Sequence, residues 1–299
     1  MDIEELRTFV EVADAGGITA ASVRLGVAKS FVSRRLIRLE AELGVQLLAR
    51  TTRGASLTEA GATFREYAAR VCAEIEIAKE TILPAGALRG RLRVAAPLSF
   101  GPTHFAPVLA EMASRHPQLH IQTCYSDRFV DLVAEGYDCA IRVGHLASSN
   151  LLAQRVGPLN GSLVASPSYI EAHGAPRTLD ELVHHEALMQ GTETWQLMDE
   201  DKAVTVRPQG RFKADNGIAL VAAAVAGIGI ACLPVGLTRS HLASGALLTV
   251  MPQHPTRPAG AYVVRPPGQH PARKIRVLTE MLTDYFGKFP DFDLGEPPA

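Results

Sequence analysis

Eight small or apolar residues, Leu57, Gly61, Phe64, Ala68, Val71, Ile75, Ala78 and Ile82, alternate spacings of four and three, and no other feature constrains this chain as strongly. That spacing runs one stripe along a helix and is the seam of a coiled coil. Thr58 suits the N-cap, and Pro84 and Gly86 end the pattern, so the run predicts one helix from 58 to about 83. At 1.5 Å per residue, about 25 residues reach ~38 Å, too long for a connector inside one compact domain. The chain is therefore expected to divide around this helix, whose stripe either meets a second copy or packs on its own chain.

The 299 residues allow two or three compact units, and 47% apolar with 20% charged residues is the balance of an ordinary globular protein. A formal net charge of −1 excludes a protein that coats nucleic acid indiscriminately, so any basic surface must be local. Asp2, Glu4 and Glu5 stand where a secretory signal has its basic start, and no stretch is apolar enough to span a membrane. No membrane partner and a cytoplasmic location are the expectations.

Ahead of the long helix, Leu6, Phe9, Val10 and Ala13 recur at helical spacing until Gly16 and Gly17. Thr19 is the expected cap of a second helix, with Ala20, Ala21 and Leu25 inward and Gly26 at its end. A third runs from about Lys29 to Leu43 on the stripe Val32, Leu36, Leu39 and Leu43, and Gly44 closes it. Two helices joined across Leu25 to Ala28 make a helix-turn-helix. Arg24, Lys29, Arg34, Arg35 and Arg38 fall in a stretch without an acid, although residues 1–60 hold eight charges of each sign. Lys29, Ser30, Ser33, Arg34 and Ile37 lie opposite the apolar stripe, where a recognition helix offers donors to major-groove base edges. A solvated basic helix is the alternative. Arg50 to Gly54, with Arg53 at its tip, is short enough to be a wing on phosphates or in a minor groove. Two half-sites require two reading heads, which favours pairing through Phe64, Val71, Ile75 and Ile82.

After Leu92 the pattern alternates strands and helices. A strand over Leu92, Val94 and Ala96 precedes a helix on Phe105, Val108, Leu109 and Met112; a strand at 119–123 precedes a helix over 128–135 capped by Asp127; a strand follows at 138–143. Further on come a strand near 161–165, a helix opened by Thr178 with Glu181 in a capping box, Asp215 and Asn216 heading a helix over 217–226, and a strand at 230–233.

Taken in order and spacing, Leu6 to Phe9, Thr19 to Leu25, Val32 to Arg34, Leu39, Glu40, Leu43, Gly44, Arg50, Thr51 and Leu57 to Gly61 resemble the LysR-type transcriptional regulators, and Asp138 to Gly144 and Gly227 to Pro234 fit as well. The chain departs from the family in having Phe31 where a small residue is common and Ala28 where a hydroxyl would cap the helix. The resemblance implies a winged helix-turn-helix over 1–57, a linker and dimerisation helix with a hinge over 58–90, and a regulatory domain over 91–299 folded as two α/β lobes like a periplasmic binding protein. The first lobe is expected over about 91–161 and 266–290, the second over about 162–265. Implied too are homodimers assembled into homotetramers, double-stranded promoter DNA and a small-molecule effector as partners, and RNA polymerase as a further one.

Open α/β sheets bind ligands beyond the carboxyl ends of their strands. Those ends offer Ser99, Phe100, Ser126, Asp127, Arg142, His145 and, in the second lobe, Asn216. Ser99 can donate to the carboxylate of a small organic acid, Phe100 stack on an apolar body and Arg142 supply charge, and the resemblance also places effector contacts at Ser99. Ser99 and Asp127 equally suit helix caps, and Arg142 an ion pair in the sheet.

An enzyme is not expected: Gly-x-Ser-x-Gly, His-Glu-x-x-His and a Walker lysine are all missing, and Gly227-Ile228-Gly229 follows a helix, the wrong order for a dinucleotide site. No metal or cofactor is expected, because His184 and His185 are the only adjacent histidines and Cys72, Cys124, Cys139 and Cys232 stand far apart among apolar neighbours. The alternatives are a redox-responsive regulator of the same fold and a solute-binding protein, which would begin with a signal peptide.

Overall fold

The computed structural model describes residues 1–51, 54–82, 88–191, 194–267 and 271–288. They form two compact units, one of residues 1–82 with Asp131–Gly136 and 271–274, the other of 88–130, 137–267 and 275–288.

The first unit contains α1 (Ile3–Ala15), α2 (Ile18–Leu25), α3 (Lys29–Leu43), β1 (Leu48–Thr51), β2 (Gly54–Leu57) and α4 (Glu59–Ile82). A capping box opens α1: Glu5 N donates to Asp2 Oδ1 at 2.8 Å and Asp2 N to Glu5 Oε2 at 3.0 Å. Helix α2 starts earlier than expected. Its N-cap is Gly17, whose carbonyl accepts Ala21 N at 3.0 Å, so Thr19 lies inside the helix and Ala20 is exposed, while Ala21 and Ser22 turn inward. Val32, Leu36 and Leu39 of α3 pack with Leu6, Phe9, Val12, Ala21 and Leu47.

Strands β1 and β2 pair antiparallel from Leu48 opposite Leu57 to Thr51 opposite Gly54. Glu40 of α3 anchors this wing, its Oε1 accepting Leu47 N at 2.8 Å and Leu48 N at 3.0 Å. Thr58 Oγ1 accepts Gly61 N at 2.9 Å and donates to Gln46 O at 2.8 Å, so the expected cap of α4 also ties it to the segment before β1.

The stripe of α4 changes its surroundings along the helix. A Cβ on Gly61 would lie 1.9 Å from Leu47 O, Ala68 is buried in the core of its own unit, and Phe64 packs on Phe9 with ring centroids 5.6 Å apart. Phe64, half-buried, thus packs against the core of its own unit. A strict seven-residue repeat drifts by ~20° per heptad on a straight helix. Val71 consequently turns outward beside Tyr67, both exposed, and Ile75 is half-buried.

In the second unit β3 (Arg89–Ala96) leads through a π-helical turn, Gly101–Phe105, to α5 (Ala106–Arg115), followed by β4 (Gln118–Tyr125), β5 (Cys139–Gly144) and β6 (Leu152–Leu159). Then come β7 (Gly161–Ala165), α6 (Pro167–His173), β8 (Glu186–Met189), β9 (Trp195–Asp199), β10 (Lys202–Val206), β11 (Gln209–Lys213), α7 (Gly217–Val225), β12 (Ile230–Pro234), α8 (Val235–Ala243) and β13 (Leu248–Val250). Strand β14 (Ala259–Arg265) and α9 (Arg273–Gly287) complete it. Among the described residues two five-stranded sheets run in the orders β4-β3-β5-β14-β6 and β11-β8-β12-β7-β13, one for each lobe. The chain crosses between them at Asn160 and again between β13 and β14. Since β14 pairs antiparallel with β5 and β6, it belongs to the first lobe, which resumes at Ala259 rather than at 266. The second sheet is covered on both faces, by Tyr169, Leu182 and Trp195 on one and Leu220, Val221 and Ala224 on the other.

Two expected helices are absent. Over 128–135 the chain is a bend and a turn, because Asp131 Oδ1 accepts Val133 N and Ala134 N at 3.0 Å each and so competes with helical bonding. After Thr178 there is a single 3-10 turn, Glu181–His184.

Candidate functional site

Helix α3 carries the candidate DNA face. Lys29, Ser30, Phe31, Arg34 and Ile37 are exposed and Ser33 is half-buried. Ala28, the N-cap residue, makes no side-chain cap bond. The basic cluster itself divides. Arg35 is only 21% exposed, donates to Thr8 Oγ1 at 3.1 Å, meets Glu4 at 3.4 Å and stacks over Phe31, 4.7 Å from the ring centroid. Arg38 lies 3.4 Å from the buried Glu5, and Arg24 3.2 Å from Glu11. Arg35 and Arg38, expected on the DNA, therefore direct charge to acids of α1, whose distance in sequence hid them. Arg34 stays on the outer face, 5.6 Å from the Phe31 centroid. Arg53 lies outside the described residues, as do the side chains of Arg50 and Ile82.

The candidate ligand cleft is built where β3, β4 and α7 meet. Asp127, just after β4, presents Oδ1 to Leu98 N at 2.8 Å and Ser99 N at 3.5 Å, and Oδ2 to Ser99 Oγ at 3.1 Å and Asn216 Nδ2 at 2.8 Å. Ser99 Oγ also accepts Gly217 N at 3.2 Å, an approach that the missing side chain of Gly217 permits, since a Cβ there would lie 2.7 Å from Leu237. Asn216 caps α7 as expected, its Oδ1 accepting Ile218 N and Ala219 N. Ser99, Asp127 and Asn216 thus form one network between strand ends of the first lobe and a helix start of the second.

The other expected contacts have partners of their own. Phe100 is 2% exposed and tilts against His104 at 6.0 Å, so it is core and cannot stack on a ligand. Ser126 Oγ accepts Arg128 N at 3.3 Å. Arg142 donates to Arg128 O at 3.3 Å and lies over Phe129, which is 84% exposed. The exposed ring of His145 faces Pro258 O at 3.2 Å.

Beside the edge strand β11, the sequence reading missed an open groove of about 810 Å³, lined by His184, His185, Glu186, Arg207, Arg211 and Lys213 among others. Under it Tyr169 OH meets His185 Nδ1 at 3.1 Å and accepts Glu186 N at 3.0 Å, and burial lowers the His185 pKa. None of the four cysteines forms a disulfide, and burial pushes the Cys232 thiol up to about 12. Among the described residues no three His, Cys, Asp or Glu side chains converge as a metal site, and no helix is long and apolar enough to cross a membrane.

A winged helix-turn-helix joined through a long helix to a two-lobed α/β fold defines a ligand-responsive transcriptional regulator. Residues 3–62 match the family model for the bacterial regulatory helix-turn-helix protein, lysR family, and residues 85–287 that for the LysR substrate binding domain. The chain belongs to the LysR family of transcriptional regulators, which combine DNA binding with an effector-binding domain. It is 32% identical to the HTH-type transcriptional regulator DmlR of Escherichia coli K12 over 98% of this chain and 97% of that one. The solved structure of CrgA, a LysR-type transcriptional regulator from Neisseria meningitidis, is 30% identical with a TM-score of 0.58, covering 96% of this chain and 99% of that one. The full-length Vibrio cholerae virulence activator AphB is 28% identical with a TM-score of 0.58, covering 96% and 100%.

Proposed function

We propose that this protein binds double-stranded promoter DNA in the cytoplasm as a homodimer, further assembled into a homotetramer, and acts on RNA polymerase there without being an enzyme. The observation that carries the reading is the outer face of α3, where Lys29, Ser30, Ser33 and Arg34 stand opposite a stripe packed into the core. Arg50 and Arg53 of the wing hold phosphates or the minor groove, Arg34 reads a base, and Val71 and Ile75 with Tyr67 make the dimer contact. A ligand between the lobes biases regulation by the difference in its affinity for two arrangements of the chain. The protonated thiol of Cys232 gives the redox-responsive alternative no support.

Titration of promoter DNA tests the assignment. Arg34→Ala is expected to weaken specific binding by ~1–3 kcal/mol and to relax base preference. Arg35→Ala is expected to lower thermal stability while preserving that preference. Unchanged affinity and preference in the Arg34 variant would remove it from the DNA face.

A further inference from the structure

The junction of the lobes contains a complete anion site. A carboxylate offers about four lone-pair positions. Leu98 N, Ser99 N, Ser99 Oγ and Asn216 Nδ2 supply four donors to Asp127, two to each oxygen. Ser99 is 6% exposed, so its hydroxyl is committed away from solvent. The donors come from two lobes, and the anion they hold belongs to the chain itself.

We infer that Asp127 is a tethered occupant of the position that would otherwise take an effector's carboxylate, and that the cleft of this protein therefore selects a neutral or cationic ligand over an organic acid. A free acid reaching Ser99 has to displace a group already in place at the high effective concentration of an intramolecular partner. If the displaced Asp127 stays nearby, two like charges share the cleft, which disfavours both. The donors are thereby removed from ligand recognition and made into a clasp between β3, β4 and α7. This reverses the expectation that Ser99 grips a small organic acid. The ligand preference rests on the effector-cleft reading above, whereas the occupied anion site does not.

The deleted side chain of Asp127→Gly corresponds to acetate, which supplies the experiment. Thermal melting of the full-length protein is followed in sodium acetate and in sodium chloride at equal ionic strength. Wild type is expected to melt alike in both. Asp127→Gly is expected to melt several degrees lower in chloride and to recover at least half of that loss in acetate, and adding Ser99→Ala should abolish the recovery. Asp127→Ala with formate provides the same comparison if the glycine variant folds poorly. Equal melting of both single variants in carboxylate and chloride overturns the site. Calorimetric binding of an organic acid to wild type, lost in Ser99→Ala, overturns the ligand preference. Failure of the regulator reading would appear instead in the promoter titration and leave the acetate result standing.

Discussion

Arg65 on α4 and Asp14 near the end of α1 form a two-pronged ion pair: Nε and Nη2 both reach Oδ1, at 3.0 and 2.6 Å, and the side chains are only 10% and 8% exposed. Removing one partner of such a pair leaves the other charge buried alone, at a cost of about 3–5 kcal/mol. Arg65→Met is therefore expected to destabilise the first unit by that amount, and Asp14→Leu added to it should restore part of the loss. Hydrogen exchange of the α1 and α4 amides in the full chain reads the effect. Unchanged protection in Arg65→Met would show that the pair contributes nothing.

The two halves of the α4 stripe separate by mutation. Phe64→Ala, which removes a half-buried ring packed on Phe9, is expected to cost about 2–3 kcal/mol of folding stability, below the ~3–5 of a fully buried ring, while leaving the oligomer intact. Val71→Asp should do the opposite, preserving the melting of the monomer and shifting the full chain towards monomer in sedimentation. A Val71→Asp protein that still sediments as wild type would place the dimer contact elsewhere.

His104 links stability of the second unit to pH. Burial lowers its pKa from 6.5 to about 4, and its Nδ1 lies 3.1 Å from Tyr285 OH. Between those values the unfolded chain binds the proton and the fold does not. Stability is thus complete above pH 6.5 and falls as the pH drops towards 4, by about 2–3 kcal/mol from this group. His104→Gln should flatten that acid limb in urea titrations at pH 7 and pH 5; an unaltered slope would refute the assignment.

What the sequence revealed is what depends on neighbours in the chain. Asn216 and Thr58 are caps because a side-chain oxygen meets amides two or three residues on, and Gly44 ends α3 in the left-handed conformation that its φ of 70° requires. The helix expected over 128–135 rested on Asp127 as its cap, whereas the Asx turn of Asp131 satisfies the amides of Val133 and Ala134 more locally. The site was legible as residue types and opaque as partners. Ser99, Asp127 and Asn216 each stood out, yet their union crosses 28 and 89 residues, and the acids that engage Arg35 and Arg38 lie 31 and 33 positions earlier. Phe100 shows the remaining limit: a side chain next to a cleft residue points into the core, and only packing decides which neighbour does so.

Glu40 belongs to α3, yet its carboxylate accepts the two backbone amides that lead into the wing. One side chain thereby fastens the start of the wing to the helix. On the proposed function, that fastening leaves less ordering entropy to be lost when helix and wing meet DNA. On the same reading, control from the ligand domain acts on where, and how many at a time, such heads are set down along the DNA.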